Sequence, residues 1–293
     1  MFKGAITAIV TPFKDGKVDW KSFEKLIDFQ IKEGINGIVP CGTTGESATL
    51  SYEEHNKVIE FTVKKVKKRV PVIAGTGANS TEEALELTEY AKKAGADASL
   101  QVCPYYNKPT QEGLYKHFKK IAESIDIPIV LYNVPGRTGL NIQPDTVIRL
   151  SEIPNIVAIK EASGSLDQVT EIVKGIKKKN FTVLSGDDSL TLPMMSVGAK
   201  GVISVASNIV PKKIAKLVKD FLEGNFDSAR KAHIELYDLM KALFIETNPI
   251  PVKTALAMMG MIREEFRLPR CEISQQNREK LKKVLQKYKI VKE

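Results

Sequence analysis

Lys160 closes an otherwise apolar run, Ile156-Val157-Ala158-Ile159. A lysine is seldom left in such a run unless it is paired. Partial burial favours the neutral amine, and a neutral amine can add to a carbonyl as a Schiff base. An imine to a 2-keto acid is itself an electron sink, so carbon–carbon chemistry there needs neither metal nor organic cofactor. The structural alternative is a salt bridge to Glu161 or to a neighbouring strand. Tyr132 closes the preceding run, Pro128-Ile129-Val130-Leu131. Its phenol could carry protons while a carbinolamine forms and dehydrates; otherwise it is an aromatic packing on the core.

Gly42-Thr43-Thr44-Gly45-Glu46 combines two hydroxyls with successive backbone N–H groups in a flexible turn. Such a nest can hold a carboxylate, and it lacks the Gly-Lys-Ser/Thr ending of a Walker loop. Arg137 lies in Pro135-Gly136-Arg137-Thr138-Gly139, a turn between two glycines. It can offer a bidentate fork to a carboxylate, or be a surface charge. Asp187 and Asp188 have no further ligands around them and are expected to cap a helix or order a loop. The three histidines and three cysteines show no metal-ligand spacing, so no metal is expected and the cysteines read as reduced thiols.

These residues must be held by something regular. Eight short β-rich runs, 5–10, 37–40, 70–74, 98–102, 128–132, 156–160, 182–186 and 201–205, alternate with helix-length segments. Apolar residues in those segments recur at helical spacing, as in Phe23, Leu26, Ile27 and Ile31. The pattern predicts a (β/α)8 TIM barrel over residues 1–224. Residues 225–293 read as helices only, over 227–244, 251–261 and 275–288, and predict a helical appendage packed on the barrel with one face open to a partner subunit. Barrel chemistry sits where the C-terminal ends of the strands meet their loops. That rule gathers Thr11, the glycine-rich turn, Thr76, Tyr105, Tyr106, Tyr132, Arg137, Lys160, Glu161, Gly186, Asp187, Asp188 and Ser204.

Composition narrows the classes further. Of 293 residues, 43% are hydrophobic and 27% charged, which excludes disordered and low-complexity classes. No apolar stretch is long enough to span a membrane, and the N-terminus runs into a strand without the features of a signal peptide. The expected compartment is the cytoplasm. Lys and Arg number 44 against 35 Asp and Glu, a net charge of +9. The basic clusters lie late in helices or beside them, with no interleaved aromatics, so no nucleic acid is expected as partner. The positive field can still draw in small anionic substrates.

Gly42-Thr43-Thr44-Gly45-Glu46-Ser47, the run from Tyr132 to Gly139, and Lys160-Glu161 together resemble the pyruvate-dependent class I aldolase and lyase family. Ser185-Gly186-Asp187-Asp188, the run from Gly201 to Val205 and the run from Asn248 to Lys253 extend the likeness over essentially the whole chain. Within that family it is most similar to the branch that condenses pyruvate with L-aspartate 4-semialdehyde for the diaminopimelate route to L-lysine. The resemblance implies an imine at Lys160 and a proton relay of Tyr132, Thr43 and Tyr106, the last contributed across a tight dimer interface. It implies that Thr43 and Thr44 hold the pyruvate carboxylate, that Gly186 and Ile203 line the pyruvate pocket, and that Arg137 holds the aldehyde's carboxylate. No cofactor is implied, and the usual assembly is a homotetramer of two dimers. Ser47, Ala48, His55, Asn79, Glu83 and Tyr105 match the positions of an inhibitory L-lysine pocket, distinct from Lys160; Tyr52 stands where some inhibited members have histidine. The sister activities are N-acetylneuraminate lyase and 2-keto-3-deoxy sugar acid aldolase, whose members generally lack the arginine of Gly136-Arg137-Thr138. A non-catalytic scaffold would be expected to lack Lys160 or Tyr132. A phosphate-substrate barrel would meet repulsion from Asp187 and Asp188.

Overall fold

The computed structural model describes residues 2–292. Eight strands form a parallel sheet: β1 (Gly4–Ala8), β2 (Gly37–Val39), β3 (Ile73–Gly75), β4 (Ala98–Val102), β5 (Ile129–Asn133), β6 (Ile156–Glu161), β7 (Thr182–Ser185) and β8 (Gly201–Ser204). They pair in chain order, and β8 returns to pair with β1 in the register Ile6 with Ile203. The remaining seam closes through Ile38 N–H to the Pro71 carbonyl and Gly75 N–H to the Pro40 carbonyl, both at 3.0 Å. The sheet is therefore a TIM barrel, as the alternation of runs predicts. The third strand begins later than expected, at Ile73: Pro71 has no N–H to donate to a ladder.

The crossover helices are α1 (Trp20–Lys32), α2 (Tyr52–Val66), α3 (Thr81–Lys93), α4 (Gln111–Ser124), α5 (Pro135–Thr138), α6 (Pro144–Ser151), α7 (Leu166–Gly175), α8 (Thr191–Ser196) and α9 (Pro211–Leu222). Their starts follow local chemistry. Ser51 and Glu54 form a reciprocal capping box on α2, while Ser80 and Thr110 cap α3 and α4. Pro144 and Pro211 open their helices, where the missing N–H costs nothing. A two-stranded ribbon, Phe13–Lys14 with Lys17–Val18, was not anticipated from the sequence.

Period-two alternation sorts the strand residues into two apolar layers. Ile6, Val39, Ile73, Leu100, Val130, Ala158, Leu184 and Ile203 fill the barrel, whereas Ala5, Ile38, Ile129, Ile159 and Val202 face the helices. Beyond α9 come α10 (Phe226–Ala242), α11 (Ile250–Met258) and α12 (Gln275–Lys287), with α10 packed on α9 and α12 on both α10 and α11. This C-terminal segment reaches back to the barrel's loops. Arg267 forks onto Glu54 with two 2.6 Å bonds and donates to the Thr49 carbonyl at 3.0 Å. No helix among the described residues is long and apolar enough to cross a membrane.

Candidate active site

Alternation along β6 decides where Lys160 points. Ala158 belongs to the barrel interior and Ile159 to the outer layer, so Lys160 faces inward. Glu161 faces outward and is fully occupied there. Its carboxylate accepts from Asn133 Nδ2 (3.0 and 3.3 Å), Gln168 Nε2 (3.1 Å) and the Ser163 N–H (2.6 Å). Adjacent strand residues on opposite faces do not meet, so Glu161 is not the reason for a lysine at 160. Lys160 is 6% exposed, and no carboxylate among the described residues pairs with it. Its Nζ instead lies 4.1 Å from the centroid of the Tyr132 ring, the register partner on β5.

Gly186 follows β7 beside this amine. A Cβ there would stand 3.1 Å from Lys160 Cε and 2.7 Å from Ala162 Cβ, so only glycine leaves the lysine its room. Ile203 closes the interior beneath, fully buried with Leu184 and Ala158. Asp187 and Asp188 order their loop, as expected. Asp187 accepts from Ser189 N–H at 2.9 Å, and Asp188 accepts from Ser204 Oγ and from the N–H groups of Val205 and Ala206.

The glycine-rich turn lies across the mouth. Glu46 N–H donates to the Thr43 carbonyl at 3.1 Å, Ser47 N–H to that of Gly42 at 3.3 Å, and Thr11 Oγ1 to that of Gly45 at 2.7 Å. No acceptor among the described residues takes the N–H groups of Thr43 and Thr44, which leaves two adjacent donors. Two residues outside the barrel hold the turn in place. Asn248 Nδ2 donates to Thr44 Oγ1 at 3.0 Å, and Lys253, on α11, pairs with Glu46, both side chains fully buried. Arg137 does not lie in an open turn. It sits in the single helical turn α5, exposed at the rim, with one guanidinium nitrogen 3.3 Å from the Asn248 carbonyl.

One cavity of about 440 Å³ is lined by Thr43, Tyr132 and Arg137. The same cavity is lined by Ser47, Ala48, His55, Glu83 and Tyr105, so in a single protomer the two candidate sites are continuous. Asn79 stands behind, donating to the Tyr105 carbonyl at 3.2 Å. Burial holds the His55 imidazole at about 4, only partly offset by the backbone of Gly75. Tyr106 is the outlier: its φ is 73° and the residue is 88% exposed, outside the lining of its own protomer's cavity.

Sequence reasoning assigned no role to Asn248, Lys253 or Arg270, which also lines the cavity. The signal at Lys253 was the same as at Lys160, a lone lysine among apolar residues in Ile250-Pro251-Val252-Lys253. Arg270 left no such trace.

Residues 1–288 match the dihydrodipicolinate synthetase family. A 4-hydroxy-tetrahydrodipicolinate synthase of Thermodesulfovibrio yellowstonii is 62% identical over 292 residues, the whole of both chains. The crystal structure of dihydrodipicolinate synthase from Aquifex aeolicus superposes with a TM-score of 0.97 at 56% identity, covering 99% of each chain. The structure of DHDPS from Cyanidioschyzon merolae with lysine bound superposes with a TM-score of 0.96 at 43% identity, again over 99% of each.

Proposed function

The chain belongs to the dihydrodipicolinate synthetase family, and we propose that Lys160 is the amine through which it joins pyruvate to L-aspartate 4-semialdehyde, giving 4-hydroxy-tetrahydrodipicolinate in the diaminopimelate branch of lysine biosynthesis. Lys160 Nζ adds to the C2 carbonyl of pyruvate, and loss of water from the carbinolamine leaves an imine. The imine withdraws electrons from C3, whose proton departs, and the resulting enamine carbon attacks the aldehyde. The α-amine of the second substrate then attacks the imine carbon, closing the ring and releasing Lys160. Tyr132 carries protons to and from these intermediates, relayed by Thr43 and by Tyr106 of a neighbouring protomer. The unclaimed N–H groups of Thr43 and Thr44 hold the pyruvate carboxylate, Gly186 and Ile203 shape the pocket around it, and Arg137 takes the aldehyde's carboxylate.

One observation carries this reading: a buried amine with no carboxylate partner, held against a phenol at the ends of two paired strands. Borohydride reduction in the presence of pyruvate tests it. The expected result is a reduced pyruvyl adduct on Lys160 by peptide mass spectrometry; an adduct on Lys253 or elsewhere, or none, overturns it. Arg137→Ala should leave that adduct intact and lower the specificity constant for the aldehyde, by on the order of 2–4 kcal/mol if the contact is desolvated. Unchanged aldehyde kinetics would return Arg137 to a surface role.

Exposed Tyr106 is free to enter a neighbouring protomer's site, which supports dimers that share their sites; the cytoplasmic homotetramer of two such dimers rests on the family resemblance. Mixed dimers of Tyr106→Phe with Lys160→Ala should regain activity that neither variant has alone. The cavity lobe lined by Ser47, Ala48, His55, Glu83 and Tyr105, with Asn79 behind, supports an inhibitory L-lysine site. Glu83→Ala should weaken inhibition by lysine at near-saturating pyruvate, and inhibition unchanged in that variant would remove the assignment.

A further inference from the structure

Two cations, Lys253 and Arg270, approach the same carboxylate, Glu46, behind the glycine-rich turn. Glu46 is claimed by Lys253 through one oxygen. Its other oxygen, Oε2, is buried without a hydrogen-bond partner and lies 4.0 Å from a terminal guanidinium nitrogen of Arg270, too far for a hydrogen bond. The Arg270 side chain is only 16% exposed, and its Nε is buried without a partner as well. Arg270 therefore approaches an acid that is already neutralised. Arg270 also lines the cavity that Arg137, Thr43 and Tyr132 line. Among the described residues Glu83 is the one acidic side chain on that wall, and it belongs to the lobe with Ser47 and His55. Burial and the nearby positive charge of Arg137 both disfavour the Arg270 cation, with Glu46 only partly offsetting them.

A poorly hydrated guanidinium without a full partner costs free energy unless something anionic completes it. We propose that Arg270 and Arg137 form one two-cation subsite for the carboxylate of the aldehyde substrate, and that Arg270 is a specificity-determining residue which makes the enzyme select an aldehyde bearing a carboxylate. Arg137 approaches from α5 on the barrel rim, and Arg270 from the segment between α11 and α12. The subsite thus exists only where the C-terminal segment is folded onto the mouth. The inference rests on the reaction proposed above and adds to it the residue that sets its second-substrate preference.

The test compares wild type, Arg270→Met and Arg270→Lys in three measurements on the intact oligomer. The first is borohydride trapping with pyruvate, which is expected to label all three alike. The second is the specificity constant for L-aspartate 4-semialdehyde, expected to fall roughly 10- to 100-fold in Arg270→Met and less in Arg270→Lys, which keeps the charge but loses the fork. The third is the preference for that substrate over its methyl ester, which keeps the α-ammonium but lacks the carboxylate charge; this preference is expected to shrink in Arg270→Met by the same factor. A structural role would instead slow both aldehydes equally and impair trapping. Combining Arg270→Met with Arg137→Ala should lower the specificity constant by less than the product of the single effects, because both act on one carboxylate. Unchanged discrimination between acid and ester in Arg270→Met overturns the proposal while wild-type trapping leaves the reaction assignment standing; failure of wild type to trap pyruvate overturns that assignment instead. If Arg270→Met does not fold, Arg270→Lys carries the question, and discrimination equal to wild type in that variant, with additivity against Arg137→Ala, overturns the shared subsite.

Discussion

Two lysines are buried among the described residues, and the protein treats them in opposite ways. Lys253, at 0% exposure on α11, has a dedicated carboxylate in Glu46, and its Nζ lies 4.3 Å from the centroid of Phe13 and 5.2 Å from that of Phe266. Burial pushes its pKa down, and Glu46 opposes that push. Lys160, at 6% exposure on β6, has a single aromatic face and no acid. The nearest carboxylate in sequence, Glu161, is turned outward by the strand's alternation and consumed by Asn133, Gln168 and Ser163. A charge with a partner is a structural tie; a buried amine without one is available to react. Lys253 ties the C-terminal helices to the glycine-rich turn, whereas Lys160 faces the barrel interior.

The largest effect should come from Lys160→Met. Turnover is expected to fall on the order of a thousandfold or more, because the proposed reaction runs through an imine on this amine. Stability should change by only about 1 kcal/mol, since removing an unpaired buried amine offsets the missing cation–π attraction to Tyr132. Initial rates and guanidinium denaturation check the two halves. Lys253→Met should do the reverse. It leaves Glu46 buried without a hydrogen-bonded partner, with Arg270 only 4.0 Å away, so unfolding free energy should drop by about 3–5 kcal/mol while borohydride still labels Lys160. Replacing both partners, Lys253→Met with Glu46→Gln, should recover much of that loss. If Lys253→Met abolished labelling without loss of stability, the contrast between the two lysines would break.

His55 sharpens the contrast as a third response to burial, giving up its charge. Its pKa is about 4, against 6.5 for an exposed histidine, and burial is the main cause. Between those values the unfolded chain binds a proton that the folded chain refuses. The stability this contributes at neutral pH is therefore lost as pH falls from about 7 to about 4, on the order of 3 kcal/mol. His55→Gln should lower, without abolishing, the slope of that part of a stability–pH profile measured by denaturant titration, because burial also holds His117 at about 4; an unaltered slope would show that His55 makes no such contribution. The smallest effect is expected at Asn248, whose side chain holds Thr44 Oγ1. Asn248→Ala should raise the Michaelis constant for pyruvate roughly two- to tenfold, in line with the absence of one hydrogen bond of about 0.5–1.5 kcal/mol. A rise in the aldehyde constant alone would place Asn248 with Arg137 and not with the turn.

Local patterning determined the barrel. Strand and helical spacing are written into neighbouring residues, so the eight runs and the placement of Tyr132 and Lys160 at the ends of successive runs followed from the chain itself. Glycine and proline marked the turns for the same reason. Most strand ends moved by one or two residues, as at Ala8 and Glu161, because ladder hydrogen bonds and not apolarity decide where a strand stops. What sequence could not supply were contacts between segments far apart in the chain. Asn248 meeting Thr44, Lys253 meeting Glu46 and Arg270 opening beside Arg137 all depend on how α11 and the segment after it fold back over the mouth. The outward role of Glu161 likewise needed the partners on α7 and at the end of β5. Short-range periodicity decides which face a residue takes; only the closed tertiary structure decides which charge it meets there, because a buried charge is defined by neighbours that the chain order does not bring together.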